Sequence, residues 1–398
     1  MPDVEFTNLL AVAVIALIAP LTLGLAPAAR LPAVVLEIVA GVVVGPQVLG
    51  WVEVDLPVSI VALLGLAFLL FLAGLEIDVH RLRGQVLRLS LLGYVVTLAL
   101  GVAVGLGLGA AGWVDGPLLV AVALSATSLG LVVPVLKDAG QVDTTLGQAT
   151  IASASVADFA AILLLSLLFS TTEAGTGSRL VLLGGFAALV VTTAVVISLV
   201  ARSRRLDMTL TRLQDTTAQI RVRAAIALLI AFVALAERFG LESILGAFMA
   251  GAVVGLLDRD SSTHPHFRVK LEAIGYGFLI PVFFVTSGLR LDVGALLDDP
   301  SSLARVPVFA IALLVVRGVP ALLLGRLVDR RSVVVAGLLQ ATSLPFIVTA
   351  TQIGVLTGLM SPVTAAALVC AGLLSVIVFP LAALALLRPA PRSGVRAA

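Results

Sequence analysis

Charge, aromatic rings and cysteine are all scarce in this 398-residue sequence: 12% of its residues are charged and 5% aromatic, and it holds one cysteine. Apolar residues make up 60% of it and the mean hydropathy is +1.18. A soluble globular domain carries about 25% charged and roughly 45–50% apolar residues. The shortage of charge therefore excludes a soluble enzyme, a nucleic-acid binder and a disordered chain. A pI near 9.1 would fit a nucleic-acid partner, but the net charge is only +2, so the basic residues must have another task. A lone cysteine, Cys370, excludes a disulfide framework and a cysteine metal site, and its apolar run predicts a buried thiol. The N-terminal MPDVEFTN is acidic and lacks the basic start of a cleavable secretory signal, so the first apolar run is expected to remain as a span. No GxxxxGK[ST] phosphate loop occurs, which argues against ATP-driven transport within this chain. GLGAAG at 107–112 fits GxGxxG, but it ends an apolar run and follows no strand, so small-residue helix packing is expected rather than a dinucleotide. No cofactor is implied, and an enzyme is not expected.

What the sequence has in abundance is long apolar runs. A helix needs about 20 apolar residues to cross a bilayer. About thirteen candidates occur, at 6–26, 31–49, 58–76, 89–111, 117–136, 146–169, 180–200, 224–239, 241–257, 270–289, 303–325, 332–356 and 361–387. Their continuity, without period-two alternation, argues for an all-α polytopic membrane protein rather than a β-barrel. Loop charge supports this count. Alternate segments hold 20 of the 25 Lys and Arg, and a miscounted span would scramble that bias. The positive-inside rule then predicts an outside N-terminus and a cytoplasmic C-terminus. The expected organisation is a first half over 1–200, an Arg-rich cytoplasmic linker over 201–223, a second half over 224–388 and a short tail over 389–398. Only 2 of the 25 basic residues are lysine. With the abundance of Ala, Val, Leu and Arg, that suggests a GC-rich bacterium and hence an inner membrane.

Three stretches recur in order. GLEIDV (74–79) returns as GLRLDV (288–293), ATSL (126–129) as ATSL (341–344) and AGVVVG (40–45) as AGAVVG (250–255), displaced by 214, 215 and 210 residues. Each pair lies seven runs apart, and an odd spacing inverts matched helices across the bilayer. That is an inverted-topology repeat, as in several secondary-transporter folds, where the ion site lies at the midplane between broken helices. Both ATSL stretches are built to break. Gly130 and Pro134 follow Thr127 and Ser128, and Pro345 directly follows Thr342, Ser343 and Leu344. Proline removes a donor and frees a carbonyl, and nearby hydroxyls can meet the loose ends or coordinate a cation.

Few ionisable residues fall inside the runs. Asp158 lies midway along the sixth, with Ser155 one turn before it. A carboxylate at the bilayer centre costs roughly 2.5–3.5 kcal/mol on insertion scales, which marks it as functional. A group able to hold either H⁺ or a hard monovalent cation is the smallest device for exchange. Arg317, central in the eleventh run, stays protonated. It needs an anion or helix C-terminal carbonyls, and Asp158 or the broken helix ends are its expected partners. Glu37, six residues into the second run, is a candidate to line a cavity. Glu76, Asp78, Arg290 and Asp292 are expected at interfaces, Glu237 and Glu242 at an outer vestibule, and His264 and His266 in a cytoplasmic loop.

LPAVVLEIVAGVVVGPQVLG (31–50) followed by LGLAFLLFLAGLEIDV (64–79) resembles the opening of the monovalent cation:proton antiporter-2 family, which includes Kef-type and NapA-like sodium or potassium/proton exchangers. IPVFFVTSGLRLDV (280–293) resembles its second-half signature. The likeness runs from about residue 8 to 388. It implies a thirteen-helix homodimer with crossed, broken helices (an NhaA/NapA-like fold) and elevator-type alternating access. It maps the family's carboxylate pair onto Ala157 and Asp158, the family often having Asp, Asn or Gln at the first position. It maps the family's basic residue onto Arg317, where NapA-like members have Lys, and Thr127 and Ser128 match the first crossover. With one carboxylate, and an arginine that does not readily release its proton, electroneutral 1:1 exchange is expected, a monovalent cation (Na⁺ or K⁺) binding at Asp158. The chain ends about ten residues after its last run, so Kef-type nucleotide regulation would need a separate regulatory subunit. The alternatives are a K⁺ channel or efflux protein, for which no TVGYG-like filter segment is present, an organic-solute transporter on a related fold, and a non-transporting membrane subunit.

Overall fold

The computed structural model describes residues 5–25, 32–76, 84–169, 176–201, 218–257, 265–297 and 300–387, and the regular structure among them is helical. The helices are α1 (Thr7–Leu25), α2 (Ala33–Val44), α3 (Leu56–Leu75), α4 (Gly84–Ala110), α5 (Pro117–Ser125), α6 (Leu129–Asp138), α7 (Thr145–Phe169), α8 (Thr176–Ala201), α9 (Ile220–Arg238), α10 (Ser243–Leu257), α11 (Pro265–Ile274), α12 (Ile280–Leu289), α13 (Val293–Leu297), α14 (Pro300–Leu313), α15 (Arg330–Gln340), α16 (Pro345–Leu356) and α17 (Pro362–Leu386). A π turn over Gly275–Leu279 joins α11 to α12. Another, over Leu314–Gly318, extends α14 into a 3-10 stretch, Val319–Arg326. Counting α5 with α6, α11 with α12 and α15 with α16 as single spans, and leaving out the five-residue α13, gives the thirteen expected. Eight are long and apolar enough to cross a membrane by length and composition, and shorter apolar helices occupy four more of the expected positions. The last is α9, which carries three arginines and a glutamate.

Hydrocarbon offers no water to loose backbone groups, so helix ends must be met by the chain itself. Asp55 accepts from the Val58 N–H at 3.0 Å to start α3, and Ser361 accepts from the Thr364 N–H at 3.3 Å to start α17. Asp329 does the same for α15 through the Arg331 N–H at 3.2 Å. The Ser332 hydroxyl on Asp329, with local N–H groups, holds that carboxyl below the usual carboxylate range. Leu17, Leu63, Val95 and Leu322 point outward, as side chains facing lipid do. Cys370 on α17 is only half-buried. Full burial was the expectation, but the surroundings of a spanning helix are apolar, so a thiol need not be covered by protein. GLGAAG both packs and terminates: a Cβ on Gly109 would meet the Pro117 side chain at the start of α5 at 3.4 Å, the small-residue packing expected. Gly112 adopts φ +73° just past α4, a left-handed turn that glycine makes without strain, and nothing lies within 4 Å of where a Gly107 side chain would start.

The described helices pack as two compact units, each assembled from two separate stretches of the sequence. One holds α1–α3, the end of α7 from Ile162 and α8–α12. Within it the repeats interlock. The AGVVVG helix α2 packs on α12, which ends in the other half's GLRLDV, and the AGAVVG helix α10 packs on α3, which ends in GLEIDV. Glycine permits both approaches. A Cβ on Gly41 would fall on the Val285 carbonyl oxygen and one on Gly288 on that of Ile38, and Gly251 meets Phe71 and Gly74 meets Phe248 in the same way.

The second unit holds α4–α6, α7 up to Ala161 and α13–α17. Helix α4 presents one buried stripe at helical spacing, Ser90, Tyr94, Thr97, Gly101 and Gly105. Its polar members bond in turn to Ser153 on α7 (3.1 Å), Ser125 on α5 (3.1 Å) and Arg317 (3.1 Å). The 201–223 linker lies mostly, and the 389–398 tail wholly, outside the described residues.

Candidate functional site

Both ATSL stretches interrupt their helices. Helix α5 stops at Ser125 and α6 restarts at Leu129, while α15 stops at Gln340 and α16 restarts at Pro345. The non-helical segments cross within the second unit. The Ser128 N–H donates to the Thr342 carbonyl at 2.9 Å, and the Thr127 hydroxyl donates to the Gln340 carbonyl at 2.7 Å. The second bond answers a terminal carbonyl of α15, which has no partner within its own helix.

Asp158 meets the first break. The Thr127 N–H donates to one carboxylate oxygen at 3.1 Å and the Leu129 N–H to the other at 3.3 Å. The carboxylate thus lies at the N-terminus of half-helix α6, where orphan donors and the helix dipole favour negative charge. The second break is answered differently. There the Ser343 N–H donates to the Ser375 hydroxyl on α17 at 3.1 Å, and Ser375 donates back to the Gly372 carbonyl at 2.7 Å. The inverted repeat therefore holds one charged and one neutral crossover. Ser375→Ala is expected to leave the Ser343 N–H unmet at a cost of about 1–3 kcal/mol, which thermal unfolding in detergent would register as a lower midpoint.

Arg317 lies in the π turn of the eleventh span and is buried. Pro320 supplies the local reason for the wide turn, since it has no N–H for the helix ladder and crowds the carbonyl of residue 316. Arg317 does not pair with Asp158. Its Nε donates to the Thr127 hydroxyl at 2.8 Å and its Nη1 to the Thr97 hydroxyl at 3.1 Å, and Nη2 has no partner among the described residues. The broken end of α5, rather than the carboxylate, is what the guanidinium touches.

Ser128 and Ser155 are buried, and neither hydroxyl makes a hydrogen bond among the described residues. Thr342 is bound back to the Leu338 carbonyl at 3.2 Å, the Ser343 hydroxyl is buried without a partner among the described residues, and Pro345 occupies the first turn of α16. Glu37 is buried on α2 in the first unit, whereas the crossover residues all belong to the second. Glu242 precedes α10, its N–H bonded to Ser166, and burial pushes its carboxyl above the usual range. Glu76 follows α3, Glu237 lies in the last turn of α9, and Arg290 follows α12 with its Nη2 on the Ser59 hydroxyl at 3.3 Å. Asp292 lies in the turn before α13 and His266 in the first turn of α11, while Asp78 and His264 fall outside the described residues. Sequence reasoning passed over Thr97, Gln340 and Ser375. A signal for Thr97 existed, since Ser90, Tyr94, Thr97, Gly101 and Gly105 share one face of an otherwise apolar run.

An inverted repeat of thirteen spans with two broken, crossing helices and a carboxylate at the break is a secondary-transporter architecture. The chain belongs to the family described as "Sodium/hydrogen exchanger, transmembrane", whose model matches residues 13–388. It is 31% identical over 396 residues to a putative Na(+)/H(+) antiporter, YjbQ, of Bacillus subtilis (strain 168), an alignment covering 96% of this chain and 63% of that protein. This chain thus spans less than two thirds of that relative's length. It is 29% identical over 339 residues to a probable Na(+)/H(+) antiporter of Methanocaldococcus jannaschii, covering 83% of this chain and 84% of the other. The fold resembles the solved structure of the sodium proton antiporter MjNhaP1 from M. jannaschii at pH 8. The TM-score is 0.63 at 16% identity, over 95% of this chain and 97% of that one.

Proposed function

We propose that this chain is a secondary active transporter that exchanges a monovalent cation, Na⁺ or K⁺, for protons at Asp158. One observation carries the reading: the Asp158 carboxylate is held at the crossover by the backbone N–H groups of Thr127 and Leu129, and the buried Ser128 between them and Ser155 one turn before Asp158 have hydroxyls without a hydrogen bond among the described residues. Oxygen donors of this kind suit a hard monovalent cation. Ser128 and Ser155 supply hydroxyls, with Thr127, Thr342 and Ser343 framing the site and Pro345 keeping the second break open. The carboxylate takes either the cation or a proton, never both, and Arg317 keeps its charge throughout. One carboxylate then moves one proton per cation, and exchange is electroneutral.

Every residue of this site lies in one compact unit. An elevator requires that arrangement, because the unit carries its ion as a body. The Arg-rich alternate loops support an outside N-terminus and a cytoplasmic C-terminus, the lysine-poor, Ala-, Val-, Leu- and Arg-rich composition supports a bacterial inner membrane, and the family likeness supports a homodimer.

The test is proton flux in proteoliposomes with an internal pH dye, adding Na⁺, K⁺ and Li⁺ in turn, with and without a valinomycin clamp. Cation-triggered proton movement that ignores the clamp is expected. Silence with every cation would remove the exchange reading, and a rate that follows voltage would remove the 1:1 stoichiometry.

A further inference from the structure

Arg317 presents a puzzle of geometry. An arginine fork forms its strongest pairs with a carboxylate, two parallel N–H···O bonds at once. Asp158 lies close by, since one residue links the two groups: the Thr127 hydroxyl accepts from Arg317 and the Thr127 N–H donates to Asp158. One guanidinium nitrogen, Nη2, is buried with no partner among the described residues. Yet the fork bonds two neutral hydroxyls and leaves the carboxylate alone. The Thr127 bond does not explain this, because a guanidinium pivoting about Nε keeps that contact while its Nη groups turn. The second anchor, Thr97 on α4, is what fixes the plane of the fork. Its hydroxyl is fully buried and accepts from Nη1 at 3.1 Å. Thr97 is in turn held in place by its neighbours on the α4 stripe, through Tyr94 to Ser125 and Ser90 to Ser153.

We propose that Thr97 is a positioning residue that keeps the Arg317 guanidinium off Asp158, so that the carboxylate stays free for the transported cation. The inference rests on the exchange reading above and names a determinant of its affinity. Without the Thr97 hydroxyl, both Nη groups would be buried and unmet, and the nearest strong acceptor would be Asp158. A fork turned onto that carboxylate would compete with the cation for the same oxygens. It would also draw the carboxylate from the Thr127 and Leu129 N–H groups. Valine has the shape of threonine without the hydroxyl, and serine keeps the hydroxyl without the methyl.

The experiment uses the full chain and three forms: wild type, Thr97→Val and Thr97→Ser. In proteoliposomes, Thr97→Val is expected to raise the cation KM about tenfold, the scale of one hydrogen bond to a charged group, with maximal rate within about twofold. Thr97→Ser should restore the wild-type KM. In nanodiscs, deuterium uptake over peptides containing Thr127 and Leu129 should be faster in Thr97→Val and ordinary in Thr97→Ser. An unchanged KM and unchanged uptake in Thr97→Val would overturn the proposal, as would a serine variant as impaired as the valine one. The two arms also separate failures. A wild type that exchanges nothing would sink the exchange reading, whereas the uptake measurement still decides whether Thr97 positions the fork.

Discussion

In Asp158→Asn, cation-driven proton movement is expected to fall to the leak of protein-free liposomes while the protein remains folded. The substitution is nearly isosteric and removes the two properties exchange depends on, a negative charge to hold the cation and a group basic enough to take the proton. The asparagine carbonyl can still accept from either the Thr127 or the Leu129 N–H. Its amide nitrogen must then face the other, donor against donor, leaving about one hydrogen bond unmet at roughly 1–3 kcal/mol. Against that, a carboxylate at the bilayer centre costs roughly 2.5–3.5 kcal/mol, a burden the variant no longer carries. The two effects are similar in size and opposite in sign, so the unfolding midpoint should stay within a few degrees of wild type. Thermal unfolding and dye-reported flux on the same preparation check both halves. Residual cation-coupled flux in the variant would mean that the exchanging group is elsewhere.

Gly251→Val should fail to give monodisperse protein, with Gly251→Ala folded but of lower melting point. The obstacle is backbone, since a Cβ on Gly251 falls on the Phe71 carbonyl oxygen and no side-chain rotation relieves it. Overpacking costs about 1–3 kcal/mol where neighbours can shift, and here α10 and α3 must separate along their contact. Gly107 is the control. A Cβ there meets nothing within 4 Å, and alanine is the better helix former by about 1 kcal/mol, so Gly107→Ala should hold or raise the melting point. Size-exclusion profiles and melting curves of the three variants distinguish the cases. Equal behaviour of Gly251→Val and Gly107→Ala would contradict the packing described here.

Much of this architecture was legible in the residues. Thirteen apolar runs with basic alternate loops define a polytopic helical protein because hydrocarbon leaves the backbone no other way to satisfy itself. The repeated ATSL stretches beside Gly130, Pro134 and Pro345 marked the breaks, since proline cannot complete a helix ladder. Asp158 and Arg317 stood out because charge inside an apolar run is costly. These are local properties, fixed by composition, spacing and the bilayer.

Pairing between distant segments was not legible. Sequence offered Asp158 or the broken helix ends as partners of Arg317; packing chose Thr127 at the end of α5 and added Thr97 from α4, which sequence reasoning passed over. The near-identity of the two ATSL stretches suggested two equivalent crossovers. Tertiary structure made them unequal, with the Asp158 carboxylate answering the first set of orphan N–H groups and the Ser375 hydroxyl the second. Likewise, that each glycine-rich helix packs on the opposite repeat could not be read from either half. A sequence states which groups need partners. Which partners they find depends on helices from about thirty to more than two hundred residues apart meeting in three dimensions, and only the folded chain decides that.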